Sequence, residues 1–197
     1  MKYDMVELKK APTKALETER LTLRPFRRSD AEAMLNNWAN DPHVMQYLPA
    51  DVSNTIEEVH TRLDSWFSYF NDIEKGSWGM YAIVLKETKE VIGEIDFAEL
   101  DTVTHSAEVG YQIGRPWWGK GYVAEALQRI IRYCFVEIGI KRIWGDFDSR
   151  NVNSGKVMVK AGMKLEKTSE KVNESTGEAI IKVQYALTVD DYFNNNK

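Results

Sequence analysis

Residues 114–126, GRPWWGKGYVAEA, lie where the pattern of the chain changes. Before them, His105 to Ile113 alternates. Ala107, Val109, Tyr111 and Ile113 fall on one face, Glu108, Gly110 and Gln112 on the other, which predicts a strand. After them, Val123, Ala126, Leu127, Ile130, Ile131, Cys134, Phe135 and Ile138 keep the i, i+3, i+4, i+7 spacing of an amphipathic helix that Gly139 ends. Gly119 and Gly121 stand at the turn between the two. Glycines there let the backbone turn tightly with its N–H groups outward, and the helix dipole adds a partial positive charge. Such a turn suits a phosphate or pyrophosphate. The same glycines also suit a turn that binds nothing, so the context decides.

One context fails. The stretch from Gly114 to Gly121 is nearly a P-loop, but that loop needs Ser or Thr where Gly121 stands, to ligate magnesium. Trp117 and Trp118 sit poorly in a loop that wraps a phosphate, and no apolar strand ending in an acidic second motif follows.

Further out, Arg20 to Pro25 alternates as a first strand. Ser29 is placed as the N-cap of a helix through Trp38, which Asn40-Asp41-Pro42 breaks. A second helix starts near Asn54, with Asn54 and Glu57, or Thr55 and Glu58, as its capping box. Trp78–Leu85 and Val91–Leu100 read as an antiparallel hairpin. Lys141–Phe147 is a strand, Asn153–Ala161 a short helix, and Met163–Asn173 with Ala179–Val189 a last hairpin. The order β-α-α-β-β-β-α-β-α-β-β predicts a mixed α/β (α+β) fold: a mostly antiparallel twisted sheet with helices on both faces.

The composition agrees. The chain has 197 residues, 43% hydrophobic and 28% charged, with 12 Gly and 5 Pro, which excludes collagen-like, low-complexity and wholly disordered classes. No linker interrupts it, so one domain over 1–197 is expected, frayed at 1–15 and 194–197. The net charge of −4 gives no reason to expect nucleic acid or an anionic membrane as partner. Cys134 is the single cysteine, so no internal disulfide forms and a reducing, cytoplasmic setting is expected. Three histidines and one cysteine, scattered, make no zinc site. The charged N-terminus is no signal peptide, and no apolar run nears the ~20 residues of a membrane span.

A second context for the glycine loop fits. Trp118 to Ala126, WGKGYVAEA, resembles the pyrophosphate loop of the GCN5-related N-acetyltransferase (GNAT) superfamily, above all the branch with the ribosomal-protein N-terminal acetyltransferases. Asn151 to Met163, NVNSGKVMVKAGM, resembles the superfamily's Asn-x-x-Ser segment, Leu16 to Pro25 its first strand, and Trp38 to Pro42 the end of its first helix. The resemblance spans about Leu16 to Leu187, and three motifs in the right order are more specific than any alone.

The resemblance implies a GNAT-like fold and acetyl-CoA as co-substrate, with no metal. Backbone N–H groups of Trp118, Gly119, Lys120, Gly121, Tyr122 and Val123 would hold the pyrophosphate. The strands at 105–113 and 141–147 would splay apart and take the pantetheine arm between them, against the backbone near Ile113, with Asn151 on the far side. A neutral amine would attack the thioester directly, which calls for a base, an acid for the departing thiolate, and a strand N–H near Tyr111 to Ile113 for the oxyanion. Many members carry a tyrosine acid at the position of Met158, which has no proton to give. Ser154, one turn away, is assigned instead, against the plain alternative of a helix-capping hydroxyl. Glu108 is assigned as base, against an ordinary exposed strand carboxylate; Glu94 and Asp96 are the alternatives.

The expected acceptor is a protein or peptide N-terminal α-amine, for example of a ribosomal protein. With a pKa near ~8 against ~10.4 for lysine, it keeps a usable neutral fraction at pH 7. Small amines, such as polyamines or antibiotics, come second. A non-catalytic acetyl-CoA-binding protein is the rival of another class. Monomer and homodimer are both open.

Overall fold

The computed structural model describes residues 14–48, 50–70, 78–101, 103–172 and 177–195. In chain order the strands are β1 (Leu16–Glu17), β2 (Leu21–Pro25), β3 (Trp78–Leu85), β4 (Val91–Asp101), β5 (Ser106–Ile113), β6 (Arg142–Asp148), β7 (Lys164–Val172) and β8 (Ala179–Thr188). The helices are α1 (Ala31–Met34), α2 (Pro42–Met45), α3 (Ile56–Phe70), α4 (Tyr122–Tyr133), α5 (Val152–Lys160) and α6 (Val189–Asn195). A single eight-stranded sheet runs β1-β2-β3-β4-β5-β6-β8-β7. Every neighbouring pair is antiparallel except β5 and β6.

Each face of the sheet carries its own core. On one, Leu23, Tyr81, Ile83, Ile95, Phe97, Ala107 and Val109 pack against the apolar stripe of α4, as its periodicity predicts. Cys134 lies fully buried in that core, and burial pushes its thiol up, so it acts as packing. On the other face Met80, Ala82, Val84 and Val91 pack under Met34, Trp38, Val59 and Leu63.

Four local expectations need correction. Ser29 is not the cap of the first helix: it lies inside a 3₁₀ turn, Arg28–Asp30, where the Asp30 carboxylate accepts from the Arg27 N–H at 2.8 Å and from Arg24 at 2.7 and 2.8 Å. The helix then passes from α1 into a π-helical turn, Leu35–Ala39. For α3 the second capping box holds: Glu58 N–H donates to Thr55 Oγ1 at 3.2 Å and Thr55 N–H to Glu58 Oε2 at 3.3 Å. Pro42–Met45 makes a short helix capped by Asp41, where a break alone was expected. The last strand stops at Thr188, whose hydroxyl accepts from Asp191 N–H at 3.2 Å and starts α6. That helix reaches Asn195, into the stretch expected to fray, because Phe135 and Tyr192 stack edge to face at 5.5 Å and dock it.

Candidate active site

The parallel ladder between β5 and β6 has three register pairs, Ser106 with Arg142, Ala107 with Ile143 and Glu108 with Trp144. Beyond them both strands continue, but apart. The Val109 carbonyl lies 3.0 Å from where a Cβ on Gly145 would stand, and the Ile113 carbonyl accepts the Trp118 indole N–H at 2.7 Å. Alternate residues of a strand turn their peptide groups the same way. Val109, Tyr111 and Ile113 therefore present theirs to the opening, while those of Gly110 and Gln112 turn to β4, where the Gln112 carbonyl lies against Gly93. This is the splay that the resemblance implied, with backbone groups turned toward it along one edge. Trp118 holds the carbonyl of Ile113, a role the sequence did not suggest.

The glycine loop closes the same end of the opening. Gly119 and Gly121 have φ of +74° and +81°, a left-handed backbone that favours glycine, and Gly121 leads directly into α4. Lys120 is exposed and Val123 is buried under the helix. A second residue fixes the turn from outside. Arg20 stacks on the Tyr122 ring at 4.5 Å, donates to the Lys120 carbonyl at 3.1 Å, and pairs with Glu125 at 2.6 Å. Glu125 also accepts from Thr18 Oγ1 at 2.5 Å and Arg20 N–H at 2.9 Å. Burial works to raise the Glu125 pKa, but these hydrogen bonds and the Arg20 charge outweigh it and hold the carboxylate low. The loop is thus braced before any anion arrives, and its residues fit a pyrophosphate.

On the α4 side of the opening, α5 begins with Asn151, whose Oδ1 accepts from Ser154 N–H at 3.4 Å. The expected partner of the pantetheine arm is therefore also a helix cap, with its Nδ2 not used by that cap. The Ser154 hydroxyl lies 3.0 Å from the Tyr111 hydroxyl, which also donates to the Ser154 carbonyl at 2.9 Å. Burial pushes the Tyr111 phenol up, against the pull of its hydrogen bond to Ser154, so it stays a donor at all ordinary pH. Met158 is 2% exposed, with its methyl 2.8 Å from a Cβ on Gly145. It is core, and the hydroxyl pair sits a turn before it. Tyr111 was read from sequence only as a backbone position. Its face was legible; its meeting with α5 was not.

On the α3 side, β4 and β5 bring three carboxyls together. Glu94 stands opposite Gln112, Asp96 opposite Gly110, and Ala98 opposite Glu108. The Asp96 Oδ2 lies 2.8 Å from where a Gly110 Cβ would be, so only glycine leaves that carboxyl its place. Burial and the Asp96 charge push Glu94 up to about 8, against the hydrogen bond from Gln112 and the Arg62 charge. Burial and the Glu108 charge push Asp96 up to about 7. Burial, then Asp146, raises Glu108, opposed by Lys182 and Lys171. All three expected carboxyls thus share one site, on the opposite face from Ser154.

These shifts set the pH dependence of folding. Glu94 keeps its proton when folded and loses it near 4.5 when unfolded, so the unfolded state binds fewer protons between about pH 4.5 and 8. Stability falls as pH rises through that window. Thermal melts from pH 5 to 8 should show a smaller fall for Glu94→Gln than for the wild type; equal slopes would contradict the shift.

A family model described as an acetyltransferase (GNAT) domain matches residues 20–164. The chain is 30% identical over 178 residues to the uncharacterized N-acetyltransferase p20 of Bacillus licheniformis, covering 90% of this chain and 97% of that protein. It is 28% identical over 186 residues to the ribosomal protein uS5 alanine N-acetyltransferase of Escherichia coli, covering 92% and 94%. The crystal structure of a GNAT-family acetyltransferase from Bacillus anthracis superposes with a TM-score of 0.77 at 26% identity, covering 89% and 99%. No helix among the described residues is long and apolar enough to cross a membrane, and no cluster there would hold a metal. The catalytic reading prevails over the non-catalytic one: the chain belongs to the GNAT family and is an acetyl-CoA-dependent N-acetyltransferase.

Proposed function

We propose that this enzyme acetylates protein or peptide N-terminal α-amines by direct attack within a ternary complex. The observation that carries the reading is the opening between β5 and β6, with hydroxyls on one face and raised carboxyls on the other. Backbone N–H groups of Gly119 to Val123 take the pyrophosphate, without that of Trp118, which donates to the Arg115 carbonyl at 3.1 Å, and the edge from Val109 to Ile113 takes the pantetheine amides, with Asn151 across the opening. The acceptor enters from the α3 side. Glu108, with Asp96 beside it, removes a proton from the ammonium; burial raises both carboxyls, Asp96 to about 7, which suits that task. The neutral nitrogen attacks the thioester carbon, and a strand N–H at Tyr111 or Ile113 donates to the oxyanion. As the intermediate collapses, the C–S bond breaks and Ser154 donates a hydrogen bond to the leaving sulfur. The amide nitrogen's second proton returns to the carboxyls or to water.

The similarity to the uS5 alanine acetyltransferase supports an α-amine acceptor. The test is release of free CoA thiol from acetyl-CoA with three acceptors: a peptide starting with alanine, spermidine, and an aminoglycoside. The peptide should exceed the others in kcat/KM by at least tenfold. A polyamine or aminoglycoside turned over faster than every peptide tried would replace this reading with the small-amine one.

A further inference from the structure

Under α3 lies a set of buried polar atoms with unused hydrogen-bonding capacity. Glu94 is 6% exposed. Its Oε1 accepts from Gln112 Nε2, but its Oε2, the Gln112 Oε1 and the Arg62 Nη1 are each buried without a partner among the described residues. An unpaired buried polar group costs roughly 1–3 kcal/mol, so the Glu94–Gln112 pair, with the Arg62 charge acting on it, marks a site where something polar belongs.

The fold puts them together. Glu94 pairs with Gln112 on β5 and with Ala82 on β3. Ala82 packs in the core formed with Val59 and Leu63 of α3, and Arg62 precedes Leu63 on that helix. Arg62 is anchored by Nη2, which donates to the Asp51 carbonyl at 2.6 Å. Its charge acts on Glu94 although no ion pair joins the two. Gln112 lies between Tyr111 and Ile113, whose peptide groups face the opening where the thioester is read to lie.

The proton that folded Glu94 holds passes to an arriving amine, and the carboxylate and the Gln112 Oε1 then offer two acceptors, with Arg62 as donor, to a group that has N–H donors beside a carbonyl oxygen. We propose that Glu94, Gln112 and Arg62 form a two-point reader of an α-amino carbonyl unit: the carboxyl and amide oxygens take the amine, and Arg62 Nη1 takes the adjacent C=O. This rests on the amine-acceptor reading above and adds a specificity residue to it. A polyamine fits worse, because its further ammonium groups would meet Arg62 and leave that N–H unpaired. Sites built to hydrogen-bond a substrate group reject analogues lacking it far more strongly than apolar pockets reject a missing methylene.

The experiment compares alaninamide with ethylamine at equal concentrations of neutral amine, with free alanine as a third arm. Wild-type kcat/KM should favour alaninamide over ethylamine by at least tenfold. In Arg62→Met that preference should collapse toward unity, and Arg62→Gln, which restores a donor, should recover part of it. Circular dichroism and melting confirm that each variant is folded. Free alanine outpacing alaninamide would identify a free amino acid as the source of the carbonyl. The same order should hold for binding to the acetyl-CoA-free protein, followed by ligand-observed NMR. If no amine is acetylated, the acceptor reading fails, and tighter binding of alaninamide still supports the reader. An equal response to the two amines in wild type, or a preference untouched by Arg62→Met, overturns it; ordered water then satisfies these atoms.

Discussion

Acetyl-CoA should bind Gly121→Val at least a hundredfold more weakly than wild type, in a protein that still folds. At φ +81° a β-branched residue pays roughly 1–3 kcal/mol of backbone strain. Its Cβ would stand 3.4 Å from Lys160 Nζ and 3.7 Å from Arg20 Nη2, filling the space at the helix start that a pyrophosphate would approach. Two more variants separate strain from blockage. A Cβ at Gly119 meets nothing within 4 Å, so Gly119→Asp adds mainly a repelling charge. Gly162 has φ +91° and the same open surroundings, and follows α5 rather than lying in the loop, so Gly162→Ala pays a comparable strain without adding a side chain to the loop. Calorimetric titration should show large losses for Gly121→Val and Gly119→Asp, and wild-type affinity for Gly162→Ala. Unchanged affinity in both loop variants would remove the loop from acetyl-CoA binding.

Ser154→Ala should lower kcat at least tenfold with little change in acetyl-CoA affinity, since its hydroxyl acts on the sulfur only as it departs. Tyr111→Phe should lower kcat several-fold by the same route. The phenol gives its one proton to the Ser154 carbonyl, so its oxygen is the acceptor that holds the serine hydroxyl in place until that proton turns to sulfur. In Tyr111→Phe/Ser154→Ala the loss should be no larger than in Ser154→Ala alone, the signature of two groups acting as one. Additive losses, or a Tyr111→Phe effect confined to KM, would reduce Tyr111 to a packing residue. Wild-type turnover in Ser154→Ala would return the serine to helix capping.

What the sequence made legible was what repeats along the chain. The stripe from Val123 to Ile138 and the alternation from Ala107 to Ile113 fixed the faces of α4 and β5, and so the sides on which Tyr111 and Glu108 would lie. The carboxyls at 94, 96 and 108 were legible as candidates because two share a strand face. What failed was short or long-range. A two-residue β1 has no period to detect. The start of α6 rests on one hydroxyl at Thr188 and a ring contact with Phe135, 57 residues earlier in the chain. The Arg20–Glu125 brace and the Tyr111–Ser154 contact join residues separated by 105 and 43 positions, and nothing local announces either.

The short β5–β6 ladder has a consequence for how such an enzyme changes its substrates. Everything proposed to handle the amine, namely Arg62, Glu94, Asp96, Glu108 and Gln112, precedes the ladder's second strand in the chain. On the leaving-group side, Asn151 and Ser154 follow it, while Tyr111 and the glycine loop, which also serve the thioester, precede it. Three register pairs and the long helix α4 are the spine between the two panels. A substitution that reshapes the acceptor panel therefore need not travel through a continuous ladder to the thioester panel. Selection can swap one amine for another on the first while the second keeps the geometry of acetyl transfer intact.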